Sequence, residues 1–447
     1  MKIRLNDIKQ LCLNAWPLVA AFLAQKGIQI VDTLMLGWLG PDALAAAALA
    51  NSCFLLIVVF CMGSISAVGI YIVGARGSHQ PLDIKHSLQS GMYLAVFLSL
   101  LGMLVIWQTP RLLEKLGQNP HVVANTRLFL HGLVWGLPGF LLFLVYREFL
   151  AAFELASCVL AVCLLSIPLT FCLNYLLITG LFGLPKLGIS GIGYAGALVQ
   201  WFMFLSLFIY SKKHLSLNQH LPKLVDWRIS YAKIFALFRL GLPSGIILVL
   251  DVSLFASAAL MIGHFGVEPL AAYQISMQCG TVAYAIPVGL SMATALQVSH
   301  ARAANNLTQA KNYAYTGLFL GLSITALIAL LFIFFPNWLI GPFLDKDALA
   351  GSLVYYYALD FLAIVGLFQC FDALQVILNG ALKGFKDTFI PMLLCIVCYW
   401  IVGMGMAYYL AFYTSLAAKG VWYGLTLGIF SAALVLVLRF RYKTKAY

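Results

Sequence analysis

Four residues in one apolar stretch have side chains able to handle a cation or a proton. Ala15 to Ala46 reads AWPLVAAFLAQKGIQIVDTLMLGWLGPDALAA and carries Gln25, Lys26, Gln29 and Asp32. At 100° per residue, Gln25 and Asp32 share one face of a helix, Gln29 lies about 60° away and Lys26 points elsewhere. A charge at the centre of a spanning helix costs roughly 3 kcal/mol on insertion scales. An Asn or Gln would make a structural hydrogen bond without that cost. Asp32 therefore reads as a cation site or proton carrier, with Gln25 and Gln29 as its polar lining. The alternative is an acid merely satisfied by hydrogen bonds between helices. For Lys26 three readings stand: a stem that snorkels to the interface, a partner for an acid, or a cavity wall.

Asp251 and Asp372 also fall inside apolar runs, Asp372 in VGLFQCFDALQVILNG with Gln369, Gln375 and Asn379 close in sequence. If they face each other, two such acids can share a proton or clasp Na⁺. Gln274 and Gln278 lie one turn apart in another run, and Asn174 stands alone in a third. Single amides more often join helices than bind ligands. Asp360, near the end of its run, reads as interfacial. Cys395 and Cys398 form a C-x-x-C, but inside a spanning helix without further ligands, so helix packing is expected there. All ten Cys lie in or beside apolar spans and are expected to pack as small apolar residues. The chain carries no Walker A motif, no H-E-x-x-H and no nucleophile elbow. It is not expected to be an enzyme or to need a cofactor, and uphill work has to draw on an ion gradient.

The elements that position these groups follow from composition. The chain is 63% hydrophobic and 9% charged, against about half and a quarter for a soluble domain, which makes it an integral membrane protein. Apolar runs predict twelve helices, at 13–38, 43–72, 86–108, 127–147, 157–180, 189–211, 234–264, 269–300, 312–335, 352–378, 388–412 and 417–438. The fold class is all-α. The N-terminal run passes into Gln25, Lys26 and Asp32 without a clear cleavage site, so it reads as the first helix and not as a signal peptide. Of 27 Lys and Arg, only Arg111, Lys115, Arg127, Lys186, Lys346 and Lys419 fall on one side, and Lys26 lies within a span. The rest, with Arg147 assigned to a loop, fall on the other, so both termini are expected in the cytoplasm. This bias explains the net charge of +12 without nucleic acid.

The chain also repeats itself. A shift of 226 residues aligns 15–77 with 241–303 without gaps, matching Pro17 with Pro243, Gly37 with Gly263 and Gly40 with Gly266. The same register matches Gly63 with Gly289 and Arg76 with Arg302. Shared apolar composition does not place a Pro, three Gly and an Arg in one register. Six spans per half is an even number, so the repeat is parallel, with a pseudo-two-fold axis along the membrane normal. The expected organisation is a six-helix lobe at 1–211, a basic linker at 212–233 and a second six-helix lobe at 234–447, around a central cavity. The acid does not repeat in place: Asp251 occupies the position of Gln25, and Ala258 that of Asp32.

The residues VDTLMLGWLG (Val31–Gly40), LGLPSGIILVLDVSLFASAALMIGHFG (Leu240–Gly266), QCFDALQVILNGALKGFKDT (Gln369–Thr388), CYWIVGMGMAYYL (Cys398–Leu410) and NYLLITGLFGLPKLGISGIGYAGA (Asn174–Ala197) resemble multidrug and toxic compound extrusion (MATE) transporters of the bacterial NorM type. The resemblance covers essentially the whole chain. It implies export of cationic, amphipathic compounds in exchange for Na⁺ or H⁺, by rocking of two lobes in the inner membrane. It places the family's first-helix acid on Asp32, its fifth-helix amide on Asn174, its second-lobe pair on Asp251 and Asp372, and its bend-prone Pro on Pro17. Gln25, Lys26, Gln29, Gln274, Gln278 and Gln369 are candidates to line the cavity, and a monomer is expected. Three positions depart from the pattern. Asp251 stands where NorM-type proteins usually carry Glu, Ile178 where some relatives carry a second acid, and Lys26 is unusual so near the cavity. A flippase for lipid-linked saccharides is the nearest rival, but it calls for more cationic groups than Lys26 alone. A proton-relaying subunit of a respiratory complex calls for a file of Lys, Glu and His, whereas the ionisable residues here cluster at two points.

Overall fold

A computed structural model of the 447-residue chain describes residues 5–115, 117–183, 185–222, 230–344 and 352–445. Lys2, Arg4, Lys223, Arg228 and Lys346, which enter the charge argument, and part of the 212–233 segment lie outside the described residues. A backbone in lipid has no water to bond to, so an apolar run must satisfy its N–H and C=O groups internally, as a helix does. Among the described residues twelve helices are long and apolar enough to cross a membrane: α1 Leu5–Trp38, α2 Pro41–Gly77, α3 Pro81–Lys115, α4 Pro120–Ala152, α5 Ala156–Thr179, α6 Ile189–Lys213, α7 Tyr231–Gly263, α8 Val267–Ala303, α9 Leu307–Phe334, α10 Leu353–Gly384, α11 Phe389–Phe412 and α12 Ala418–Lys445.

The number of spans matches the sequence expectation, and most of the helices run further than their apolar cores. Polar ends continue the helix because caps, not the loss of hydrophobicity, stop it. Asn119 accepts a hydrogen bond from the His121 amide ahead of α4, Asn306 from the Gln309 amide ahead of α9, and Ser352 from the Tyr355 amide ahead of α10. Gly40 and Gly266 precede α2 and α8 with φ of 103° and 122°, a conformation that L side chains rarely adopt. The repeat thus preserves both glycines for one reason.

Contacts divide the chain into two compact units, Ala20–Gly245 and Met1–Val19 with Ile246–Tyr447. Both α1 and α7 change unit two residues after their internal prolines, Pro17 and Pro243. In the first unit a Cβ on Gly63 of α2 would overlap the backbone of Gly245, and in the second a Cβ on Gly289 of α8 would overlap Val19. These are the same contact seen twice, since 226 residues separate Gly63 from Gly289 and Val19 from Gly245. A polar contact repeats in the same way. Lys233 Nζ donates to Asp83 Oδ1 at 2.7 Å in one unit, and Gln309 Nε2 donates to Asp7 Oδ1 at 2.8 Å in the other. Shifting Asp7 and Asp83 by 226 gives Lys233 and Gln309, so the geometry extends the duplication to positions whose residue types no longer match.

The two cores are aromatic. Tyr146 of α4 packs against Phe149, Phe204 and Phe208 in the Ala20–Gly245 unit. Trp422 of α12 packs against Tyr273, Phe361 and Phe368 in the other. The most enclosed spans are α4 and α10, the fourth of each half. Many Leu, Phe and Trp side chains remain exposed, among them Leu104, Leu165, Leu260 and Leu327, as suits helices solvated by lipid.

Candidate functional site

The Ala20–Gly245 unit builds one polar centre between α1 and α5. Asn174, fully buried on α5, donates from Nδ2 to Asp32 Oδ1 at 2.7 Å. That is the short distance of a charge-assisted bond. Asn174 Oδ1 is buried and accepts no hydrogen bond among the described residues. Two turns earlier on α1, Gln25 Nε2 contacts Cys163 Sγ of α5 at 3.9 Å. Lys26 Nζ donates to Gln29 Oε1 at 3.2 Å and lies 5.9 Å from the Phe22 ring centroid. Lys26 is therefore half-buried among residues of its own helix, and Gln29 is exposed.

The second unit builds a deeper centre from α7, α8, α10 and α11. Asp251 and Asp372 are both buried, and each carboxylate lies within electrostatic reach of the other. The Tyr284 hydroxyl of α8 donates to Asp251. Asp372 Oδ1 accepts from Gln375 Nε2 at 3.1 Å, one turn along α10. Gln375 Oε1 in turn accepts from Tyr399 Oη at 2.7 Å and from Asn379 Nδ2 at 2.9 Å. Tyr399 comes from Val397–Met404, where α11 loosens into π-type turns. Such turns often mark functional sites, because the extra residue redirects a side chain. Here they belong to the stretch that presents the hydroxyl to the amide holding Asp372.

Several acceptors in this centre have no donor among the described residues: Asp251 Oδ1, Gln369 Oε1 and Asn379 Oδ1. A buried acceptor left unsatisfied costs about 1–3 kcal/mol. The unmatched groups are all oxygens, which suit a proton or a hard cation such as Na⁺ and do not suit a metal that prefers nitrogen or sulfur. Among the described residues no group of three or more His, Cys, Asp or Glu is placed to hold a metal ion. A cation here would be held by carboxylate, amide and hydroxyl oxygens.

The remaining candidates fall elsewhere. Gln369 is buried and donates to the Gly280 carbonyl at 3.0 Å. Gln274 and Gln278 are exposed on α8. Asp360 is exposed and pairs with Lys419 at 2.6 Å. Cys395 and Cys398 are buried thiols within the aromatic core. Sequence reasoning does not find Tyr284 or Tyr399, because the chain holds 21 Tyr and apolar context marks none of them as polar. It also misplaces Arg147. α4 continues past its apolar run, so Arg147 lies inside the helix, buried and paired with Glu148 at 3.0 Å. The adjacent opposite charges at the end of the run are the signal that could have revealed the pair.

Comparison with known proteins gives three concordant results. A family profile described as MatE matches residues 17–176 and 243–409, one match per half. The chain is 37% identical over 440 residues to the "Probable multidrug resistance protein NorM" of Pseudomonas aeruginosa, spanning 98% of this chain and 90% of that one. It is 33% identical over 427 residues to the protein of the same description from Agrobacterium fabrum, spanning 95% and 91%. The crystal structure of the eukaryotic MATE transporter AtDTX14 superposes with a TM-score of 0.86 at 21% identity, covering 99% of this chain and 98% of that one.

Proposed function

This chain belongs to the MATE family of multi-pass membrane transporters, and from that premise we propose that it is a multidrug efflux antiporter that exchanges cationic, amphipathic compounds for Na⁺ or H⁺. The observation that carries the coupling is the pair of carboxylate centres, half-buried Asp32 with buried Asn174 and buried Asp251 with buried Asp372, whose oxygens exceed their donors. A carboxylate out of water needs a counter-charge. An organic cation, a proton and Na⁺ can each supply it, and they cannot all do so at once. Competition for the same oxygens therefore links drug release to ion entry, with no nucleotide.

Alternating access is the motion that the duplicated halves support, with 1–211 and 234–447 as the moving lobes, 212–233 as their linker and Pro17 as a hinge. Pro17 removes one backbone hydrogen bond inside α1, which locally softens the helix. The charge bias supports cytoplasmic termini, and in this reading the protein acts in the inner membrane as a monomer. The polar groups described around the two carboxylate centres are acids, neutral amides and tyrosine hydroxyls, as expected for cationic substrates and not for the phosphates of a lipid-linked sugar.

Purified protein in liposomes, loaded with ethidium and driven separately by a Na⁺ gradient and by a pH gradient, tests the proposal. One of the two gradients should drive dye movement. Asp32→Asn, Asp251→Asn or Asp372→Asn should reduce it at least tenfold if each removes a counter-charge worth about 1.4 kcal/mol or more. Full transport in all three variants sinks the carboxylate mechanism.

A further inference from the structure

We propose that the Ala20–Gly245 unit carries a docking site for the headgroup of an anionic glycerophospholipid, formed by α3 and α4 and separate from the transport centres. A cavity of about 430 Å³ lies there, lined by Leu104, Trp107, Gln108, Pro110, Arg111, Arg127 and His131. Among the described residues its walls contain two guanidiniums and an imidazole but no carboxylate. Glu114, which pairs with Arg127 at 2.7 Å, is not part of the lining. Arg111 Nη1 donates to Gln108 Oε1 at 2.9 Å, which fixes the guanidinium on the cavity wall with its charge uncompensated by that partner.

The lining is graded along the helix as a lipid is graded along its length. α3 ends at Lys115, so at 1.5 Å per residue Arg111 lies about 6 Å, Trp107 about 12 Å and Leu104 about 16 Å from the end. The polar layer of a bilayer is roughly 6 Å deep on each side of its hydrocarbon, so with the end of α3 at the outer edge of that layer Arg111 lies at its inner boundary, in reach of headgroups, and Leu104 among acyl chains. Trp107 lies one turn further in, between Arg111 and Leu104. It packs edge-on against His131 and Trp135, and both Trp107 and Trp135 are exposed, as interfacial aromatics are. Arg127 enters from α4 on a stem long enough to reach the same layer. A soluble anion would use the guanidiniums but not the exposed Leu104 and Trp107. An uncharged lipid would use the apolar wall but not the guanidiniums. Only an amphiphile carrying a net negative phosphate uses both. Basic pockets between helices hold such headgroups elsewhere on general electrostatic grounds.

Native mass spectrometry of the purified protein, with phosphatidylglycerol or phosphatidylcholine added at equal concentration, tests this. Wild type should retain phosphatidylglycerol preferentially. Arg111→Gln and Arg127→Gln should each weaken retention about fivefold, the change expected from one charge near the headgroup layer. Arg111→Lys should keep most of it, which separates lost charge from a damaged fold, and monodisperse elution of each variant checks the fold directly. Equal retention of the two lipids, or undiminished phosphatidylglycerol on the Arg111→Gln/Arg127→Gln double variant, overturns the proposal. So does inorganic phosphate that displaces the lipid completely at millimolar concentration, because the apolar wall would then contribute nothing.

Discussion

The hydrogen-bond chain Tyr399–Gln375–Asp372 makes a graded prediction that a general need for polarity near Asp372 does not make. Gln375 is the only link in that chain that touches the carboxylate, and its Oε1 is held by two donors, Tyr399 and Asn379. Gln375→Leu removes the bond to Asp372. A bond to a charged group is worth about 1.5–3 kcal/mol, which corresponds to roughly ten- to a hundredfold in affinity for a cation that needs the carboxylate in this orientation. Tyr399→Phe removes one of two donors to Gln375 and leaves the other in place. A neutral bond is worth about 0.5–1.5 kcal/mol, so the loss should be at most about tenfold. With Gln375 already Leu, Tyr399→Phe should cost little more, because the hydroxyl no longer has that acceptor. Ethidium binding to purified protein, followed by fluorescence polarisation, measures all four corners of this cycle. A Tyr399→Phe defect as large as that of Gln375→Leu, or one that persists undiminished in the Gln375→Leu background, would show that Tyr399 acts by another route.

Three further outcomes follow from the packing. Arg147→Met should cost about 3–5 kcal/mol, seen as a large drop in melting temperature, because it leaves Glu148 buried without its partner; Arg147→Met/Glu148→Gln should recover much of that loss, and a double variant no better than the single would contradict the buried-pair reading. Gly63→Leu and Gly289→Leu should each lower stability by a kcal/mol or more through overpacking against Gly245 and Val19, whereas Gly37→Ala, with open space at its Cβ, should not. His220 lies between α6 and α7 beside Phe153, and its burial holds its pKa below the ordinary histidine value. An unfolded histidine binds the proton more readily, so this contribution to stability should be lost as pH falls through and below the ordinary histidine range. His220→Gln should flatten that part of the melting-temperature profile, and an unchanged slope would remove His220 as its source.

The number of helices and their order were legible because lipid leaves an apolar chain few alternatives to helix. The acids were legible for the same reason: Asp32, Asp251 and Asp372 are costly enough in apolar runs to stand out one by one. What surrounds them was not. Tyr284 and Tyr399 read as apolar residues until a neighbouring helix supplies the acid or amide that their hydroxyls meet. Cys163 reads as a packing residue until Gln25 is placed against it. Arg147 was counted with a loop because an apolar run ends there, although the helix itself continues to Ala152. The repeat was legible only where residue types survived. The contacts Lys233–Asp83 and Gln309–Asp7 preserve the duplicated geometry after the residues themselves diverged.

That divergence bears on why the acid changes position between the halves. In α7 the position equivalent to Asp32 is Ala258, which is fully buried in the apolar core of its unit. A carboxylate there would enter an apolar cluster. The position equivalent to Gln25 is Asp251, and there Tyr284 of α8 supplies the donor. Each half thus keeps its acid where a neighbouring helix offers a hydrogen bond, and the two acids lie seven residues, or about 10 Å, apart along otherwise matched helices. Moving the acid is therefore not a symmetric operation. Introducing one by Gln25→Asp places it beside Cys163, a poor donor, while Ala258→Asp buries it in that apolar cluster. The expected result is a folded, partly active Gln25→Asp protein and a poorly expressed Ala258→Asp protein. Equal expression and transport by both, measured in the same vesicles, would mean that local hydrogen bonding does not decide where these acids can stand.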